Sequence, residues 1–157
     1  MAEFQKEIGE LYLREATVED TMLLFVWAND LLVRQNSFSS KNIVWDEHRK
    51  WFELALSNDN VKIYVLQYNE LPVGQIRIEN NGSEWRIGYS IDDSWRGNGY
   101  GRQMLCLLES KVVDGTHLLG EVKRENIASQ KIFEELGYRK NINAKGSFFE
   151  YRKCVKK

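Results

Sequence analysis

The chain has 157 residues, of which 43% are hydrophobic and 29% charged, and 22 Lys and Arg against 23 Asp and Glu leave a formal charge of −1. That length fits one domain with a self-sufficient core, and that balance excludes both an unfolded chain and a polycation built to coat nucleic acid or anionic membrane. Two cysteines and two widely separated histidines exclude a disulfide scaffold and a His/Cys zinc site. The opening MAEFQKEIGELYLRE is charged throughout and lacks the apolar centre of a signal peptide, and no run approaches the ~20 apolar residues of a membrane span. A cytoplasmic protein with one domain, residues 1–157, is therefore expected. Seven Lys and Arg against one acid between Tyr138 and Lys157 read as a solvated tail rather than a docking patch.

Leu11–Leu13 reads as a short first strand. Thr17-Val18-Glu19-Asp20 has the form of a capping box, which predicts the Thr hydroxyl on a free backbone N–H and the acid reaching back. The helix it opens carries Leu23, Val26, Trp27 and Leu31 at helical spacing. The polar run 34–40 reads as a loop, and Asp46 is the expected cap of a second helix. His48, Trp51, Phe52, Ala55 and Leu56 share one face of that helix, which turns His48 inward; Trp27, Trp51 and Phe52 are expected in the core.

Val61–Gln67, Val73–Glu79 and Trp85–Ile91 read as three strands of an antiparallel meander, with turns at 69–72 and 80–83. Arg77 and Glu79 fall on the face opposite Ile76 and Ile78, where an ion pair on a solvated surface is the plain reading. A helix over 99–111 places Met104, Leu105, Leu108 and Val112 on one stripe, with Cys106 as a small core residue beside it. A strand over 118–123, a helix over 128–136 ended by Gly137, and a hairpin of 138–142 with 147–152 complete the chain. The order is β-α-α-β-β-β-α-β-α-β-β, an α/β chain of the α+β kind.

Between the strand ending at Ile91 and the helix after it lies Arg96-Gly97-Asn98-Gly99-Tyr100-Gly101-Arg102. Glycines let a backbone approach a ligand closely and turn its N–H groups outward, and a helix start adds unpaired donors and positive dipole. Two arginines add full charge, so the segment suits a phosphate or pyrophosphate; a glycine turn that merely caps a helix is the plainer alternative. The dinucleotide pattern G-x-G-x-x-G fails, because the third glycine position falls on Arg102 or Met104. No Walker A triplet and no G-x-S-x-G elbow occurs.

Arg96, Gly99 and Gly101 form R-x-x-G-x-G, which resembles the pyrophosphate loop of the GCN5-related N-acetyltransferase (GNAT) superfamily, whose members hold acetyl-coenzyme A. Asn126 to Tyr138 is similar to that superfamily's N-x-x-S-x-x-x-Y-x-x-x-G-F segment, and the element order matches over nearly the whole chain. The resemblance implies a single GNAT-like domain on a mixed, mostly antiparallel sheet, splayed between its fourth and fifth strands, that uses acetyl-CoA and no metal. It implies cofactor contacts from Tyr89, Ser90 and Ile91, from Arg96, Gly97, Asn98, Gly99, Tyr100, Gly101 and Arg102, and from Asn126, Ser129 and Phe133. The Ile91 backbone N–H would polarise the thioester carbonyl. The chain departs from the pattern at Phe133, where the superfamily often has a Tyr that protonates the departing thiolate. Water, Ser129 or Tyr138 would have to serve instead, or the chain is a catalytically silent acyl-CoA-binding module.

The N-terminal third is similar to GNAT enzymes of the pseudaminic-acid and flagellin-glycosylation type, which acetylate an amino group of a UDP-linked amino-dideoxy sugar. This likeness implies an acceptor site of Asn29, Arg34, Asn36, Ser37, His48 and Arg77. Aromatic surfaces suit a deoxy-sugar methyl and a uracil ring, and Arg34 suits a diphosphate. His48 reads as a general base, a positioning residue or a satisfied packing residue. The expected partner is a small-molecule amine, a nucleotide sugar, with neither nucleic acid nor membrane; a homodimer is a further expectation. A protein N-terminus or a polyamine is the alternative acceptor.

Overall fold

The computed structural model describes residues 9–157, so the leading MAEFQKEI, and with it part of the signal-peptide reading, lies outside the described residues. The elements are β1 (Leu11–Glu15), α1 (Thr21–Ala28), α2 (Leu31–Asn36), α3 (Trp45–Leu56), β2 (Val61–Tyr68), β3 (Leu71–Asn80), β4 (Trp85–Ile91), α4 (Tyr100–Lys111), β5 (His117–Lys123), α5 (Ile127–Glu135), β6 (Arg139–Ile142) and β7 (Phe148–Cys154). The strands form one mixed sheet in the order β1-β2-β3-β4-β5-β7-β6. Every neighbouring pair is antiparallel except β4 and β5, which run parallel.

Strand alternation gives the sheet two apolar faces, and each is covered by its own helices. Ile76, Ile78 and Ile87 project toward α4 and α5 and join Met104, Leu105, Leu108, Leu118, Phe133 and Tyr151 in the larger core. Ile63 and Val65 project the other way and pack with Leu24 and Trp27 of α1 and Phe52 and Ala55 of α3. Two contacts tie the second layer to the end of β4. The Trp27 indole donates to Asp92 Oδ2 (2.7 Å), and Arg96 Nη2 donates to Asp30 Oδ2 (2.7 Å).

The structure corrects several local expectations. The run read as a loop from Arg34 is in part a helix: α2 starts at Leu31, where Asp30 accepts from the Val33 N–H (3.1 Å). The helix after it is capped at Val44, so Asp46 lies in its first turn, where a carboxylate still favours the helix dipole. Pro72 lies within β3 rather than in a turn, opposite Gln67, at a register shift between Leu66 and Gln67 that spares the sheet the missing N–H. Cys106 is exposed, and Trp51 is 37% exposed, while Trp27 and Phe52 are core. The basic C-terminal stretch is no tail; it contains β6 and β7, and Arg152 pairs with Glu84 (2.8 Å) and Glu150 (3.0 Å). The acid half of the capping box is present, since the Thr17 N–H donates to Asp20 Oδ2 (2.8 Å). Among the described residues no helix is long and apolar enough to cross a membrane, and no His/Cys/Asp/Glu group is arranged to hold a metal.

Candidate active site

The site begins where β4 and β5 part. Their register runs only through Trp85–Leu118, Arg86–Leu119 and Ile87–Gly120, after which β4 continues to Ile91 beside β3 alone. Antiparallel ladders alternate bonded and non-bonded pairs. The Asp92 N–H donates to the Val73 carbonyl (2.8 Å), so Ile91 and Tyr89, opposite Gly74 and Ile76, are the non-bonded positions. Their peptide groups therefore face the gap that β5 has vacated. Arg96 Nε donates to the Ile91 carbonyl (3.1 Å), which leaves the Ile91 N–H aimed into the opening. Ser90 alternates away from the gap; its side chain is on the opposite face, accepting from Gln75 Nε2 (3.1 Å).

At the mouth of the gap, residues 96–99 lead into α4. Gly97 and Gly99 have φ of +82° and +77°, and nothing lies within 4 Å of where a Cβ would stand. Only glycine takes this conformation readily, and here it opens a concave backbone surface at a helix start whose first N–H groups lack intrahelical partners. Gly101 serves packing: a Cβ there would come within 3.1 Å of Ile132 and 3.5 Å of Tyr89. Tyr100 instead stacks with Trp95 and Tyr68. Arg96 holds Asp30, Asp93 and the Ile91 carbonyl, so its charge is spent on the loop itself. Despite the cost of burial, Arg96 and the Val33 N–H hold Asp30 below the usual carboxylate range. Asn98 is likewise internal, donating to the Trp95 carbonyl (2.9 Å). Arg102 is half-exposed beside Glu135 at 3.5 Å and is the loop's most available cation.

The start of α5 closes the gap on its far side. The Asn126 side chain caps the helix by accepting from the Ser129 N–H, and its amide donates to Ser129 Oγ, both at 3.2 Å. Ser129 Oγ also shares a 2.6 Å hydrogen bond with the Tyr89 hydroxyl. Phe133 sits deeper, 2% exposed, stacked on Tyr151 (5.3 Å), edge-on to Tyr138 (4.9 Å) and against Gly120, where no side chain would fit. The expectation that Phe133 lines the gap thus meets a residue that fills the core beneath it. Tyr138 is buried with an unpartnered hydroxyl.

On the other face a cleft of about 350 Å³ opens between α1, α3 and β3, lined by Arg34, Glu47, His48, Trp51, Gln75 and Arg77 among others. His48 Nε2 bonds the Thr21 carbonyl (2.9 Å), which requires a proton on Nε2 and leaves Nδ1 as the acceptor of the neutral ring. The ring stacks on Phe52, and burial, reinforced by the charge of Arg77, lowers its pKa below the ordinary value against the pull of that hydrogen bond. Arg77 lies over the Trp51 ring (4.9 Å) and pairs with Glu79 (2.9 Å), so it does more than decorate a solvated face.

The other expected acceptor residues build the wall. Arg34 donates to the carbonyls of Ala28 (2.6 Å), Ser39 and Lys41 (both 3.2 Å) and to Ser37 Oγ (3.2 Å), which commits its guanidinium to the 37–41 segment. Asn29 bridges both backbone groups of Ile43, and Ser37 donates to the Val33 carbonyl. Asn36 ends α2 and is not among the residues lining the cleft. The sequence reading missed Glu47, Gln75 and the exposure of Trp51. Helical spacing leads from His48 to Trp51 and from Trp51 back to Glu47, and strand alternation leads from Arg77 to Gln75.

A sheet parted between two parallel strands, with a glycine-opened helix start at the mouth, defines an acyltransferase-like architecture. The profile of the acetyltransferase (GNAT) domain matches residues 10–139, and the chain belongs to that family. An uncharacterized protein of Methanocaldococcus jannaschii is 28% identical over 145 residues, covering 86% of this chain and 30% of the relative, so the chain spans about a third of that protein's length. A domain of known structure from Methanocaldococcus jannaschii superposes with a TM-score of 0.81 at 22% identity, covering 94% of this chain and 99% of that one. The spermidine N-acetyltransferase of Vibrio cholerae, solved with CoA and spermine, is similar with a TM-score of 0.78 at 15% identity, covering 90% and 93%.

Proposed function

We propose that this domain transfers an acetyl group from acetyl-CoA to a primary amine by direct attack, and that the amine belongs to a nucleotide-linked amino-deoxy sugar. The observation that carries the first half is the gap between β4 and β5, with the Ile91 N–H facing into it and the loop 96–102 at its mouth. The donor set fits a pyrophosphate: open backbone at Gly97 and Gly99, the free N–H groups that begin α4, and half-exposed Arg102. Arg96 and Asn98 hold that backbone in shape, and Asn126 and Ser129 border the pantetheine side. Acetyl-CoA supplies an activated thioester when bound.

The chain's own groups do the rest. The Ile91 N–H is placed to stabilise oxyanion charge, commonly the largest single contribution in acyl transfer. His48 stands neutral with Nδ1 as proton acceptor, suited to take or relay the proton an attacking amine must lose. Trp51 with Arg77 above it offers a flat apolar surface beside a cation, which suits a base or sugar ring next to a phosphate. Arg34 shapes the cleft and is not the diphosphate ligand in this reading. The cleft sets two arginines against one acid, Glu47, which disfavours a polycation such as a polyamine. Free-thiol release from acetyl-CoA, measured over a panel of UDP-linked amino sugars, polyamines and peptides, tests the reading. Release with amino sugars alone supports it, release with polyamines alone moves the acceptor, and coenzyme A binding with no release from any amine returns the silent module.

A further inference from the structure

We propose that the Tyr89–Ser129 hydroxyl pair is the proton donor to the sulfur that leaves during transfer, in place of the side chain at position 133. The proposal rests on the reading that coenzyme A lies in the gap between β4 and β5. Position 133 offers neither a hydroxyl nor access, since Phe133 is enclosed by Tyr89 itself, Tyr151, Tyr138 and Gly120. Tyr138 is enclosed with it. Tyr89 stands on the stretch of β4 that β5 has left, and Ser129 is in the first turn of α5, so their hydroxyls meet at the gap itself.

Counting protons shows what the pair can do. The two hydroxyls carry two protons and share one hydrogen bond of 2.6 Å. Asn126 Nδ2 donates to Ser129 Oγ as well, which fills an acceptor position without consuming a donor. Whichever oxygen donates in the shared bond, one O–H proton is left over. Burial raises the Tyr89 pKa, with the Ser129 bond opposing, so the phenol stays protonated where an alkyl thiol begins to ionise. In the step, the amine nitrogen forms its bond to the acyl carbon, the C–S bond breaks with its electron pair going to sulfur, and the surplus O–H proton passes to that sulfur. The oxygen it leaves is reprotonated from water, balancing the proton that the amine gives up.

The test uses the double variant Tyr89→Phe/Ser129→Ala, since either hydroxyl alone keeps a free O–H proton, with coenzyme A as the probe, and reads binding by calorimetry from about pH 7 to pH 10. A donor aimed at sulfur lowers the bound thiol's pKa, so wild-type affinity should tighten as pH rises through it, and the double variant should flatten that rise. Turnover should fall about ten- to hundredfold in the double variant, as for one lost hydrogen bond to a charged acceptor, with affinity at pH 7 within about threefold. Adding Phe133→Tyr to the double variant should restore neither, because that ring is packed among Tyr89, Tyr138 and Tyr151 with its tip against Gly120. If the double variant binds coenzyme A and keeps both the pH slope and turnover, the proposal is overturned. Equal losses in affinity at pH 7 and in turnover would make the pair structural, which also overturns it. Wild-type protein that binds no coenzyme A would instead defeat the reading of the gap.

Discussion

The loop at residues 96–102 and the cleft beside His48, the two halves of the proposed site, lie on two sides of a sheet and are built from different material. The loop presents backbone: its two positive-φ glycines leave space, and Arg96 and Asn98 turn inward to hold the turn. The cleft presents side chains, His48, Trp51, Gln75 and Arg77, held by packing and by a wall that Arg34 ties together. Backbone recognition tolerates few residues and recognises a common group, a phosphate. Side-chain recognition can be exchanged position by position, so under the proposed function specificity resides on the acceptor side.

Substitutions on each side should therefore break different quantities. The largest effect is expected on the acceptor side: His48→Ala should lower turnover about 10²–10⁴-fold while coenzyme A affinity is kept. His48→Gln separates base from hydrogen-bonding partner, and near-normal turnover there would move the base to a water chain. Next comes Gly99→Asp, which places a charge where phosphate is expected. Coenzyme A at 100 times its dissociation constant should stabilise the wild type by about 2.7 kcal/mol, and in this variant the thermal shift should vanish. Gly99→Asn, which tolerates the same φ without charge, should retain most of it.

Smaller effects should sharpen the contrast between the two arginines. Arg77→Ala should raise KM for an anionic acceptor with little change in stability, whereas Arg34→Ala should lower the melting temperature, because it leaves the carbonyls of Ala28, Ser39 and Lys41 without their donor. The pH effect is smaller again. The His48 pKa is lower folded than unfolded, so the unfolded chain takes up its proton first as pH falls. Stability linked to this residue is complete above about pH 6.5 and declines below it, a slope that His48→Gln should remove in denaturant titrations.

The strands, the loop and the long helices were legible because their signals are local: alternation at Ile76 and Ile78, glycines at 97 and 99, a stripe at Met104, Leu105 and Leu108. What escaped depends on partners distant in sequence. Arg96 reads as a phosphate ligand until Asp30, 66 residues away, takes its charge. Arg34 reads as a diphosphate ligand until the 37–41 segment folds back onto it. The short helix α2 was hidden because its Leu31 reads as a continuation of the helix before it, which ends at Ala28, and six residues capped by Asp30 leave too little periodicity to detect. Tyr89 was legible as a cofactor contact on its strand and not as a proton donor, because its hydroxyl acquires meaning from Ser129, 40 positions on.

In the proposed function, coenzyme A is held by open backbone at the parting of β4 and β5. Titrating coenzyme A into the isotope-labelled domain and following backbone amide resonances tests it most directly. The predicted result is that the largest shifts fall on Gly97 to Arg102 and on Tyr89 and Ile91, with the amides of His48 and Arg77 nearly still. Shifts concentrated around His48 and Arg77, with residues 97–102 unmoved, would contradict it.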